Sequence, residues 1–218
     1  MTESKPKFTS FIIYLISFHA FWGGGYVFVI YPWMKSLGER SLRYALINIS
    51  IRMAVWVLPV FFYLIYVDGV KPFQYLKLTR NWKRGVIIGV VLTVINLLGS
   101  MIRFGIPHPT AQSLTWNSVV GTSILIGFIE EIPYRGFMLQ KFTERYGFWV
   151  AAAISSILFL SIHLPGWISL HLLKAGSIVS VFLFGVMMAI VLRYGKSLWA
   201  PIITHSTNDF IAFVLFHL

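Results

Sequence analysis

The sequence predicts an all-α fold, a polytopic membrane helix bundle of about seven transmembrane helices. Three observations carry that reading. Of 218 residues, 57% are hydrophobic and only 11% are charged, against about half and a quarter in a soluble domain. Mean hydropathy is +0.77. The apolar residues gather in runs near the ~20 residues that cross a hydrocarbon core, and no alternating strand pattern interrupts them.

The runs follow in order. The first, 9–32, comes after "MTESKPKF" and has no small-x-small cleavage site behind it, so it reads as an uncleaved span. Gly23, Gly24 and Gly25 inside it suit close helix contact. Spans at 44–67 and 85–102 follow, then 117–139, which ends in "FIEEIPYRGF". Spans at 148–164, 175–192 and 199–217 complete the set. Between the fifth and sixth, apolar character continues past Pro165 and Gly166 through "WISLHLL", so 165–173 is expected as a bent or re-entrant piece. Trp33, Trp82, Trp116, Trp149 and Trp199 sit at span edges, as interfacial aromatics do. All of 1–218 reads as a single integral membrane domain without internal repeats.

Composition removes several function classes. There is no cysteine, so disulfides, thiolate metal sites and cysteine nucleophiles are excluded. The net charge of +11 does not point to nucleic acid, because no polar domain exists to carry it. Lys and Arg in the connecting loops explain it, lying beside anionic lipid. With the N-terminus inside, eleven fall on the inner side (Lys5, Lys7, Lys71, Lys77, Arg80, Lys83, Arg84, Lys141, Arg145, Arg193, Lys196) and five on the outer (Lys35, Arg40, Arg43, Arg103, Lys174). That asymmetry predicts a cytoplasmic N-terminus and an external C-terminus.

Three acids stand where charge is costly. Glu130, Glu131 and Asp209 lie in apolar spans, where an ionised group costs about 2.5–3.5 kcal/mol and normally faces the bundle interior with a partner. Candidate partners are Arg135, His163 and His205. Glu131 and Arg135 are four apart and share a helix face. Glu130 points about 100° away and is left for another partner. His205 and Asp209 are also four apart. Pro133 lacks an N–H, so a kink is expected near it. Irregular backbone at this depth implies protein or a wet cavity beside it.

These residues form a pattern. "EEIPYR" fits E-E-x-x-x-R at Glu130, Glu131 and Arg135. "FLSIH" fits F-x-x-x-H at Phe159 and His163. "HSTND" fits H-x-x-x-N/D at His205 and Asp209. In this order on successive apolar helices, with "KSLWAPIITH" before the last, they resemble the CPBP family, the CAAX proteases and bacteriocin-processing enzymes also called the Abi family. The resemblance covers 117–217, the catalytic-motif core. It implies an intramembrane endopeptidase acting on a membrane peptide or lipidated protein. It further implies that Glu130 and His163 activate water, that His205 and Asp209 form the oxyanion site, and that Glu131 and Arg135 hold the first pair in place. Asp209 departs from the family's usual Asn. An ionised Asp cannot donate to an oxyanion, so three arrangements stay open: a protonated Asp209, an Asp209 that orients His205, or Asn208 as the donor.

The chemistry is coherent without a bound group. A carboxyl in apolar surroundings becomes a competent base and then an acid, which suits Glu130. No cofactor is expected. Zinc held by Glu130, His163, His205 and Asp209 is the alternative; there is no H-E-x-x-H helix. The rival classes are a non-catalytic membrane-binding or bacteriocin-immunity protein that keeps the motifs as structure, and an ion-coupled transporter. His19 reads as packing, His108, His171 and His217 as incidental, and Arg52 as snorkelling or pairing near an interface. The expected setting is the bacterial cytoplasmic membrane, with substrate arriving from its cytoplasmic half.

Overall fold

The computed structural model describes residues 5–217. Among these, seven long helical rods form the bundle: α1 (5–35), α2 (42–67), α3 (82–104), α4 (117–143), α5 (148–161), α6 (175–195) and α7 (199–216). The spans expected from hydropathy all coincide with rods. Five helices are long and apolar enough to cross a membrane by length and composition: Phe8–Lys35, Leu42–Val67, Trp82–Phe104, Phe148–Ser169 and Ala175–Gly195. The two rods outside that set, α4 and α7, hold Glu130, Glu131 and Arg135 and His205 and Asp209. The polar residues that make them interesting also lower their hydropathy.

Side-chain chemistry sorts the faces of each rod. On α3, Ile87, Val90, Val91, Val94, Ile95 and Leu98 are exposed, at the three- and four-residue steps of one helical stripe. They suit lipid. The opposite face carries Gly85, Gly89, Thr93 and Asn96 and lies on α7. A Cβ on Gly89 would stand 2.7 Å from Ile203 Cβ, so only glycine permits that approach. Thr93 Oγ1 is then 2.6 Å from Thr207 Oγ1, and Asn96 donates to Asn208 at 3.2 Å. Small residues draw the backbones together and polar ones bond across, as expected where lipid supplies no hydrophobic drive. On the other flank, aromatic rings fill the space among α1, α2 and α4. Phe11 meets Phe137 edge-on at 5.5 Å, and Phe18 meets Trp56 at 5.2 Å.

The rods alternate direction, and contacts define two ends. At one end Leu198 N donates to Lys77 O, Gln140 donates to the Tyr75 carbonyl, and Arg145 lies over the Phe8 ring. At the other, His108 N donates to Leu215 O and Tyr31 donates to Glu39.

Two local departures from ideal helix matter. Backbone bonding widens to i→i+5 over Ile132–Met138, closed by Leu139 N on Tyr134 O. The kink expected near Pro133 thus takes the form of a widened turn, which accommodates the missing donor and is common at functional sites. The second departure follows α5. The chain turns at Ile162 and His163 and continues as a short helix, Leu164–Ser169. Pro165 packs toward α1, where a Cβ on Gly23 would stand 3.2 Å from Pro165 Cγ. This is the bent piece expected near 165–173.

Candidate functional site

Glu131 and Arg135 leave α4 on one face and are fully buried, with Arg135 Nη1 donating to Glu131 Oε1 at 3.1 Å. Arg135 Nη2 also donates to Gly185 O of α6 at 3.2 Å, and its guanidinium lies 4.3 Å from the centre of the Phe159 ring on α5. One cation therefore ties α4, α5 and α6 together. The same Glu131 oxygen accepts from His205 Nδ1 of α7 at 2.7 Å. Gly127, one turn before Glu131 on that face, explains the reach: a Cβ there would collide with the backbone of Ile202 and Ser206. The direct hydrogen bond of this clasp goes to His205, and through the Phe159 ring it also packs on the residue whose carbonyl holds His163.

Glu130 faces elsewhere, as its 100° offset requires. Its Oε2 lies 3.9 Å from His205 Nε2. Its Oε1 accepts from Arg52 Nη1 of α2 at 3.4 Å. Of the two roles expected for Arg52, snorkelling or pairing, the contacts show pairing. Its Nε donates to Asn48 Oδ1 at 3.3 Å, and its guanidinium lies 5.3 Å from the Trp22 ring centre. Tyr26 donates to the same Asn48 oxygen at 2.7 Å. The motif reading missed Arg52, although the signal was present: a cation inside an apolar span needs a partner as much as an acid does.

Asp209 Oδ2 lies 3.6 Å from His205 Nε2. Asn208 donates one N–H to Asp209 Oδ1 at 3.1 Å and accepts from Asn96, which leaves its second N–H available. His163 Nδ1 lies 2.9 Å from the Phe159 carbonyl. A carbonyl only accepts, so Nδ1 carries the hydrogen and Nε2 of the neutral ring is left as an acceptor. No direct hydrogen bond joins His163 to Glu130 or His205 among the described residues. The Phe159 ring meets both imidazoles, with its centroid 5.1 Å from His163 and 6.0 Å from His205. All four groups, Glu130, His163, His205 and Asp209, nonetheless line one cavity of about 530 Å³, together with Arg52 and Asn208.

The remaining histidines lie apart. His19 Nδ1 bonds Leu15 O at 2.8 Å, and its Nε2 sits 3.4 Å from both Leu158 O and the Tyr134 hydroxyl. That is a packing role. His108 and His217 meet at the far end. Among the described residues no group of three His, Asp or Glu side chains is arranged to hold a metal ion, and Glu130, His163, His205 and Asp209 do not form one.

A buried carboxylate–imidazole–guanidinium cluster around a cavity inside a polytopic helical bundle defines the class: a helical membrane protein with an ionisable interior site. Residues 111–211 match the family model of type II CAAX prenyl endopeptidase Rce1-like proteins, which is consistent with the CPBP membrane proteases that the motifs resemble. The match includes every motif residue from Glu130 to Asp209 and leaves out Arg52, Asn48 and Asn96. No curated protein and no solved structure matches the chain.

Proposed function

We propose that the chain is an intramembrane endopeptidase that hydrolyses a peptide bond of a membrane-associated peptide with water activated by Glu130 and His163. The observation that carries this reading is the shared cavity: an acid, two imidazoles and a second acid from α4, α5 and α7 border one volume. Glu130 takes a proton from water. The oxygen adds to the scissile carbonyl, and the proton passes to the departing amine as the C–N bond breaks. His163 holds the same water through Nε2, because Nδ1 is spent on the Phe159 carbonyl. His205 faces the oxyanion. Its Nδ1–H is given to Glu131, so donation from Nε2 needs the imidazolium, whose charge Glu130, Glu131 and Asp209 together offset. One such donor is worth about 2.7–4 kcal/mol of barrier.

Of the three arrangements open at Asp209, the geometry favours orientation of His205. Asp209 Oδ2 lies beside the ring while its Oδ1 accepts from Asn208, which suits Asp209 to hold the imidazole; the second N–H of Asn208 stays available to a substrate oxygen. Arg52 positions Glu130 from the other side. A metal-free mechanism is the reading the donor set supports, because Arg52 and Arg135 already provide the cations facing Glu130 and Glu131. Cleavage by reconstituted protein in H2(18)O, read by mass spectrometry, tests the reaction. One heavy oxygen in the new carboxyl terminus is expected. A membrane-peptide library left intact by folded protein would contradict it.

A further inference from the structure

The catalytic cavity does not end at the motif residues. Arg52, Glu130, His163 and Trp167 also line a second cavity of about 440 Å³ between α1, α2 and the 164–169 turn. Its walls are aromatic. Trp22 and Tyr26 stack with centroids 3.9 Å apart and planes at 11°, and Trp56 stands edge-on to Trp22 at 4.6 Å. Trp56 is completely buried, yet its indole N–H has no acceptor among the described residues. A buried donor left unpaired costs about 1–3 kcal/mol, and a buried indole N–H normally finds a partner. The far end of the cavity is bordered by Tyr31, Glu39 and Leu172, at the end of the bundle opposite the start of α1.

A wider groove between α3 and α6 points the same way. It shares Trp167 and Asn208 with the catalytic cavity and has Arg103 and Lys174 on its walls. The cavity at the other end of the bundle, lined by Tyr75, Thr143 and Arg193 among others, contains none of the motif residues.

We propose that the aromatic cavity is the substrate-binding arm of this site, taking an extended peptide flank with large apolar or aromatic side chains and admitting it from the end of the bundle opposite the start of α1. The inference rests on the peptidase reading and adds its substrate class and side of access. Stacked rings hold apolar side chains, and Arg52 marks the junction where the chain passes Glu130. The access side differs from the cytoplasmic half expected from sequence. With the N-terminus inside, as the Lys and Arg count predicts, the arm opens to the outer face.

The absence of native cysteine makes a direct test available. Tyr31→Cys and Leu172→Cys place a thiol at the far end of the arm, and Thr143→Cys places one in the cavity at the other end. Each reconstituted variant is assayed before and after reaction with a bulky maleimide. Modification is expected to abolish cleavage at Tyr31→Cys and Leu172→Cys and to leave Thr143→Cys unchanged. Retained cleavage by fully modified Tyr31→Cys and Leu172→Cys overturns the arm. Should those variants be inactive before modification, Trp22→Ala decides: KM about tenfold higher with kcat held supports the arm, and an unchanged KM overturns it. Failure of the wild-type protein to cleave any peptide instead removes the peptidase reading beneath.

Discussion

Single atoms decide what each acid in this site can do. Glu131 Oε1 accepts from both Arg135 and His205, while Glu131 Oε2 and Arg135 Nε have no hydrogen-bond partner among the described residues. Through Glu131 Oε1 and the two terminal nitrogens of Arg135, the pair holds three helices and one imidazole. Removing the guanidinium leaves a buried uncompensated carboxylate, so Arg135→Leu is expected to cost about 3–5 kcal/mol of stability, visible as a lower unfolding temperature in detergent. Glu130 differs: one oxygen is tied to Arg52 and the other faces the His205 ring. A hydrogen bond to a charged group is worth about 1.5–3 kcal/mol. Arg52→Gln is therefore expected to lower kcat/KM by about 10- to 100-fold, with part of the loss restored by Arg52→Lys. The acids were legible in sequence because charge in an apolar run demands an explanation. Arg52 raised the same demand, but its partner lies 78 positions away and no local spacing connects them.

At the scale of elements, the site depends on how closely α4 and α7 approach. Gly127 and Glu131 are one turn apart on the same face, and the missing side chain at Gly127 lets Glu131 reach His205. Gly127→Val is expected to push α7 away and cost about 1–3 kcal/mol, the usual size of an overpacking strain. Activity should fall further than stability, and parallel thermal and cleavage assays would separate the two. Hydropathy located every rod, because lipid requires long apolar helices whatever the detail. It could not locate the widened turn at Ile132–Met138 or choose between α7 and α5 as the partner of Glu131. Those depend on Pro133 and Gly127 acting through neighbours remote in sequence. The bent piece after His163 was legible because Pro165 and Gly166 break an otherwise continuous apolar run.

For the whole molecule, the two ends of the bundle are chemically unequal. Residues in 71–84, 141–145 and 193–196 bring Lys and Arg to the end where α1 begins, and the proposed orientation puts that end in the cytoplasm. A membrane-impermeant thiol reagent outside intact cells is expected to label Leu172→Cys and to miss Thr143→Cys; the reverse pattern would invert the orientation. The metal-free reading predicts that chelator-washed protein keeps its activity with far less than one zinc per chain, whereas stoichiometric zinc whose removal stops cleavage would overturn it. The central claim is that Glu130 activates the attacking water inside the shared cavity. Glu130→Gln keeps the size of the side chain and removes the base, so it tests that claim most directly. Reconstituted Glu130→Gln protein should unfold at a temperature near that of the wild type and release no cleaved peptide. Cleavage at the wild-type rate would contradict the account.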